Sequence, residues 1–463
     1  MIKPPLTALT LCSLTWGVAL SASTGAGASA APTTAAALPL SGSHLAEPYL
    51  AAEDPYLQGL LRQTLALAPR LQAAQARYEA LKHQAGAAQA LPDPQLSGSV
   101  RNVGLGRISL GDEAMSGNGV MVQQNYPHPK KLALRQRQAD TEHLQQRARL
   151  QQLTLELRRE VQSHYVQALA AQQKQRVYQA MDAWYALLQQ VVQTRYQVAK
   201  VPLQDIWQVK LRRSELQAQQ LKLAEEETLH WTALQNVMGR PARFERRVLQ
   251  AQPQLPGQTD VEVLSLNQVF PWASAVKSSA FFEPPAFTEH PALQTAQWQQ
   301  ELAQVAIQSA EAERQSDYFV AGGLTYRGML EPIWEVKGGM TLPVYGDTKI
   351  EPRVAAARSQ LTVAEAAYAD ALQRLQGQWQ NEVERWQYSQ RQHQLYRQQI
   401  LPEAKTSVNA ALAAYRGGQQ EVAQVIESIT RWLNYQQQVI GLEAQMYLAL
   451  NTLEYLRGEQ DGF

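Results

Sequence analysis

The sequence predicts a mainly α-helical chain with a small transmembrane β part, laid down as two copies of one plan. Three observations carry that expectation. The segment from Arg195-Tyr196 to Met238-Gly239-Arg240 returns, at an offset of 219 residues, as Ala414-Tyr415 to Leu456-Arg457-Gly458. No proline or glycine interrupts the chain from Leu132 to Ala199, a helix of roughly 100 Å if continuous. Short segments alternate apolar and polar residues, and the one from Tyr318 to Tyr326 has an aromatic at each end, the pattern of tilted membrane strands.

The N-terminal residues 1–30 read as a secretory signal peptide: Lys3, an interrupted apolar stretch from Leu6 to Ala22, then Ala28-Ser29-Ala30. Residues 31–53 form an extension. Cys12, the single cysteine, lies inside the apolar stretch; lipid attachment there is disfavoured because Leu11 stands where a small residue is wanted. The mature chain then carries no thiol.

The first repeat spans 54–241. A helix is expected from Asp54 to Ala90, stopped by Pro92-Asp93-Pro94. Strands follow within about 95–126, with Val120 and Val122 on a face that reaches Tyr126 and Leu96–Val103 as the weaker partner. Pro127-His128-Pro129 precedes the long helix, Pro202 marks a turn, and a return helix from Leu203 to Val237 ends at Gly239-Arg240-Pro241. Residues 242–289, rich in proline and aromatics (Phe270-Pro271-Trp272, Phe281-Phe282, Pro284-Pro285), link the copies and are expected to pack outside the helices as a belt.

The second repeat spans 290–458, with a tail at 459–463. It predicts a helix from Pro291 to Gln315, strands within about 317–343, and a long helix from Glu351 to Ile400 with Pro402 near its end. A short helical piece reaches Arg416, Gly417-Gly418 turn the chain, and Gln420–Leu456 return. Val425, Trp432, Val439, Met446 and Leu453 recur every seven residues on that helix, as do Ile426, Leu433, Ile440 and Tyr447. Two adjacent stripes of coiled-coil period suit a helix packed on two sides, as in a wall.

Along the strands, Trp334, Val336 and Met340 alternate with Glu335 and Lys337, while Val320 and Leu324 share a face with Tyr318 and Tyr326. Val320, Leu324, Trp334, Val336 and Met340 are the lipid-facing candidates; a soluble hairpin capping a helical bundle is the alternative. Four strands cannot close a barrel. Three chains would supply twelve, an even number that removes every sheet edge, and would set the long helices as a tube below it.

Net charge is +1, so no electrostatic case for nucleic acid exists. Mean hydropathy is −0.36, and glutamine and alanine are abundant, as in long wetted helices. The eight histidines are scattered, none three or four residues from another, and the methionines do not cluster. No glycine-rich phosphate loop or nucleophile elbow occurs. The chain is expected to be no enzyme, with no cofactor and no metal site.

The duplicated plan, Arg195-Tyr196, Ala414-Tyr415-Arg416-Gly417-Gly418 and the closing Gly239 and Gly458 resemble the TolC family of outer-membrane factors, over about Asp54 to Gly458. Gln124-Asn125-Tyr126-Pro127-His128-Pro129-Lys130-Lys131-Leu132 resembles the entry to the first long helix in members serving heavy-metal efflux. The resemblance implies a homotrimer with a twelve-stranded β-barrel in outer-membrane lipid and a long α-helical barrel in the periplasm. Its tips would meet a periplasmic adaptor and an inner-membrane pump of RND type. Docking candidates are then Tyr196, Lys200, Val201, Pro202, Tyr415, Arg416, Gly417 and Gly418. Two acidic positions that narrow the entrance in the family fall on Gln424 and Glu427, and Asp205 is the first-copy counterpart of Gln424. These are the gate candidates; plain helix-start charges favoured by the dipole are the other reading. The first tip departs from the family, with Ala199-Lys200-Val201-Pro202 where a glycine-bearing turn is usual. Type I protein secretion and a periplasmic coiled-coil adaptor or scaffold are the rival functions.

Overall fold

The computed structural model describes residues 54–101, 116–239, 279–328 and 330–458. By internal packing the chain divides into Met1–Leu45 and Ala46–Phe463, and all described residues belong to the second unit. The expected signal peptide, Cys12, the N-terminal extension, linker residues 242–278 and the tail lie outside the described residues.

The first predicted helix is two: α1 (Pro55–Leu67) and α2 (Pro69–Ala87). Pro69 causes the break, because Ala68 before it takes the extended conformation (φ −59°, ψ 118°) and proline offers no N–H to the preceding turn. Asp54 caps α1: its carboxylate accepts the Tyr56 N–H at 3.0 Å and the buried Tyr165 hydroxyl at 2.7 Å, tying α1 to the long helix.

That long helix, α3 (Pro129–Gln197), runs 69 residues. It begins at a His-Pro pair, as does α5 (Pro291–Ala312). In each, the histidine accepts an N–H of the first turn through Nδ1, His128 from Lys130 and His290 from Ala292, both at 3.2 Å, while proline occupies a position that needs no donor. Between them α4 (Leu203–Met238) ends at Gly239, whose φ of +69° is a left-handed cap.

The second long helix does not end near Pro402. A π-helical turn, Gly346–Ile350, leads into α6 (Glu351–Leu395). A second one, Tyr396–Ile400, carries the helix on into α7 (Leu401–Gly417). The wide turn lets Leu401 N–H reach Tyr396 O, which makes room for Pro402 without stopping the helix. Helix α8 (Val422–Arg457) returns and packs against α3, α6 and α7. All nine stripe residues are at most 6% exposed, so both faces of the band are buried. Helix α4 is different. It packs chiefly on α3 and leaves Trp207, Leu211, Leu221 and Leu229 exposed.

The described end of the linker, 279–289, packs on the helices. Phe282 lies against Trp386, with ring centroids 4.5 Å apart, and its carbonyl accepts Trp379 Nε1 at 3.3 Å. Arg457 stacks over Phe281 at 4.5 Å.

Strands β1 (Gln95–Arg101), β2 (Gly117–Tyr126), β3 (Tyr318–Arg327) and β4 (Leu330–Met340) form one antiparallel sheet in that order. The central β2–β3 pairing joins the two copies, with Tyr126 opposite Tyr318 and Val120 opposite Leu324. Asp317 locks sheet to helix: it accepts the His128 N–H at 2.9 Å and Lys131 Nζ at 2.8 Å, and its carbonyl accepts Thr341 N–H at 2.8 Å.

Partial burial raises the Asp317 carboxyl pKa, but the Lys131 and His128 bonds outweigh it and hold it below the ordinary carboxylate value. A depressed acid stabilises the fold above its unfolded-state pKa and loses that stabilisation as pH falls through the folded one. Asp317→Asn should therefore destabilise by about 1 kcal/mol at pH 7, the charge-assisted value reduced for an exposed pair, and by little near pH 2. Thermal unfolding in detergent at the two pH values checks this; an equal loss at both would detach the effect from the charge.

Candidate functional site

Two parts of the chain hold the candidate side chains: the sheet and the helix tips. Side chains alternate across a strand, so the register sorts the sheet into two faces. One carries Leu96, Val100, Val120, Val122, Val320, Leu324, Trp334, Val336 and Met340, all 45–81% exposed. Every lipid-facing candidate lies on it, with Tyr126 and Tyr318 paired at the helix end and Tyr326 and Trp334 toward the other. Asn118 and Gln124 are its polar members, near the two ends. The opposite face carries Arg101, Gln123, Asn125, Thr325, Glu335 and Lys337, and Glu335 accepts Arg101 at 3.2 Å and Lys337 at 2.6 Å. Met121, Phe319 and Ile333 accompany these polar groups, so one face is apolar and the other mixed.

The tips repeat each other bond for bond. In the first, Ala199 N–H donates to Tyr196 O and Lys200 N–H to Arg195 O, both at 2.9 Å. In the second, Gly418 N–H donates to Tyr415 O at 3.0 Å and Gln419 N–H to Ala414 O at 2.9 Å. Both turns need a left-handed residue: Gly418 has φ +81°, and Ala199 takes φ +55° without being glycine. The first tip thus keeps the turn shape its sequence seemed to abandon, at a backbone cost of about 1–2 kcal/mol. Pro202 and Glu421 then begin α4 and α8 as equivalent N-caps.

The side chains break this symmetry. Tyr415 is 1% exposed, whereas its counterpart Tyr196 is 43% exposed. Arg195, in the last turn of α3, donates to the Tyr415 carbonyl and lays its guanidinium 4.8 Å over the Tyr415 ring. The Tyr415 hydroxyl reaches Asp205 Oδ2 at 3.5 Å, a long contact. One residue from each helix end of the first tip therefore clasps a tyrosine of the second. Burial, with the Asp205 charge beside it, pushes the Tyr415 hydroxyl up to about 12. Asp205 is raised mainly by burial; the Tyr415 bond opposes this, Glu421 adds to it and Arg195 offsets it.

The other candidates do not join this cluster. Glu427 is exposed and pairs with Arg431 one turn along α8, at 2.6 Å. It lines an open groove of ≈ 390 Å³ between α4 and α8, with Leu211, Arg212, Glu215 and Ile426. Gln424, Lys200, Pro202, Arg416 and Gly417 are exposed at the tips, and Val201 is half-buried against the core. Arg195 was not among the predicted site residues. Its signal was available: a cation in the last helical turn, next to a tyrosine that repeats.

No family model and no curated protein matches the chain. Solved structures do. The outer-membrane channel OprN superposes with a TM-score of 0.71 at 14% identity, covering 88% of this chain and 91% of that one. The outer membrane protein VceC from Vibrio cholerae gives 0.69 at 17% identity, covering 87% and 96%. CusC, whose folding and transmembrane channel formation are accompanied by conformational changes, gives 0.70 at 15% identity, covering 90% and 95%. Near-complete coverage in both directions at such low identity means that architecture is shared where sequence is not. The duplicated helical hairpins and the four-stranded sheet bridging both copies are therefore those of the TolC-like fold.

Proposed function

We propose that the chain is the outer-membrane exit duct of a tripartite efflux system, working as a homotrimer with a periplasmic adaptor and an inner-membrane pump of RND type. The observation that carries this reading is the sheet: one continuous exposed apolar face, an opposite face that carries the charges Arg101, Glu335 and Lys337, and two open edges, β1 and β4. An isolated sheet of this kind is an aggregation hazard. Three copies joined β4 to β1 would remove the edges, turn the apolar face to lipid and the charged face to a water-filled lumen. The exposed apolar side chains of α4, and Val363, Tyr388 and Leu395 on α6, supply surface for the same association. Among the described residues no helix is long and apolar enough to cross a membrane.

At the tips, the Arg195–Tyr415–Asp205 clasp acts as a latch between the hairpins. Closed, it holds the second tip against the first; an adaptor gripping the tips would release it. Type I protein secretion would use the same duct and differs in the pump that feeds it. An adaptor function accounts for the hairpins but not for a bilayer-height apolar sheet.

In detergent the purified mature chain should run as three copies and form ion-conducting pores in planar bilayers. A monodisperse, detergent-free monomer without conductance would overturn the reading.

A further inference from the structure

No two histidines are close in sequence, yet two meet across the first hairpin. His164 on α3 and His230 on α4 have ring centroids 5.9 Å apart and tilted by 36°. Their positions are rigidly set. The next residues, Tyr165 and Trp231, are fully buried and pack edge-to-face with centroids 6.0 Å apart. Glu227 of α4 accepts Gln172 Nε2 at 3.3 Å and Gln175 Nε2 at 2.9 Å from α3, which ties the two helices near this level.

The imidazoles themselves are underused. His164 Nδ1 is buried and has no hydrogen-bond partner. Burial lowers the pKa of both rings; Glu160 opposes this at His164, and at His230 the neighbouring His164 adds to it while Glu226 opposes it. Glu160 and Glu226 each stand one turn N-terminal of a histidine on its own helix. Glu160 is shared with Arg70 at 2.9 Å, and Glu227 is committed to Gln175 and Trp231.

Two imidazoles that share an ion at ~2.0–2.1 Å per nitrogen have ring centres roughly 5–6 Å apart. We propose that His164 and His230 form a two-imidazole clamp for a divalent transition-metal ion, bridging α3 and α4. Imidazole donors select zinc, nickel or copper over magnesium or calcium. Among the described residues no group of three or more His, Cys, Asp or Glu converges on one point, so water completes the coordination. The clamp is a structural site that fastens the hairpin, separate from the tips and from the sheet.

The test uses the full mature chain in detergent, stripped with EDTA. Copper(II) added at one equivalent should give an electron paramagnetic resonance spectrum with two imidazole nitrogens, reduced to one in His164→Gln and in His230→Gln. Zinc should raise the unfolding temperature of the wild type and leave the double variant unmoved. Each single variant should lose more than about 100-fold in zinc affinity, and Glu226→Gln about tenfold, the scale of outer-sphere changes. The variants' unfolding temperatures in EDTA should equal that of the wild type. A copper spectrum without paired imidazole nitrogens, or zinc stabilisation that survives in the double variant, overturns the proposal. If a variant fails to fold, the wild-type copper spectrum alone decides.

Discussion

Lysine in place of Val336 or Leu324 should each cost about 2–4 kcal/mol of membrane assembly, the value for a cation near mid-bilayer on the lipid face of a barrel. Val336 is 79% exposed and faces Gly322 across the β3–β4 ladder, so no neighbouring side chain shields it. Leu324 sits between Val120 and Trp334. A lysine there cannot reach the polar face, because alternation fixes each side chain to one side of the sheet. Gln123→Lys on the opposite face should be tolerated, since Arg101, Glu335 and Lys337 already share that face. The measurement is the fraction of chain recovered as folded oligomer after assembly into lipid vesicles, titrated with urea. Equal recovery of Val336→Lys, Leu324→Lys and Gln123→Lys would mean the apolar face never meets lipid.

Breaking the tip clasp should have the second large effect, on the resting open fraction of the duct. Tyr415→Phe removes only the hydroxyl contact to Asp205, at 3.5 Å a weak one, and should matter least. Arg195→Ala removes a charge-assisted bond and the cation–π contact, together about 1–3 kcal/mol. If three chains open together, even ~1 kcal/mol each shifts the open-to-closed ratio roughly 100-fold. Single-channel recordings would show this as longer open dwell times in Arg195→Ala. Glu427→Gln is the contrast: its carboxylate pairs with Arg431 on its own helix, so it should lower cation preference and leave the open fraction alone. Wild-type open fractions in both Arg195→Ala and Tyr415→Phe would remove the clasp from gating.

Periodicity and punctuation were enough to read most elements. The seven-residue stripes on α8 foretold a helix buried on two sides because a repeat of 3.5 residues per turn keeps the same residues facing neighbours along its whole length. Alternation in β3 and β4 foretold the face of every lipid-facing candidate. The errors fell where a local rule met a compensating geometry. Pro69 broke a helix read as continuous, while Pro402 failed to break one, because a π-helical turn absorbed it. Ala199 adopted a left-handed turn that composition argued against.

The sequence by itself determined the duplication, the helix and strand order and the two faces of each strand, since these depend on residues near one another along the chain. Only the tertiary structure decided which counterparts differ. Tyr196 and Tyr415 occupy matching turns, yet one is exposed and the other held between Arg195 and Asp205, more than 200 positions away in sequence. His164 and His230 became neighbours in the same way. Contacts between helices depend on how far each has rotated and slid against the next, and that is set by the whole buried core, not by any local pattern.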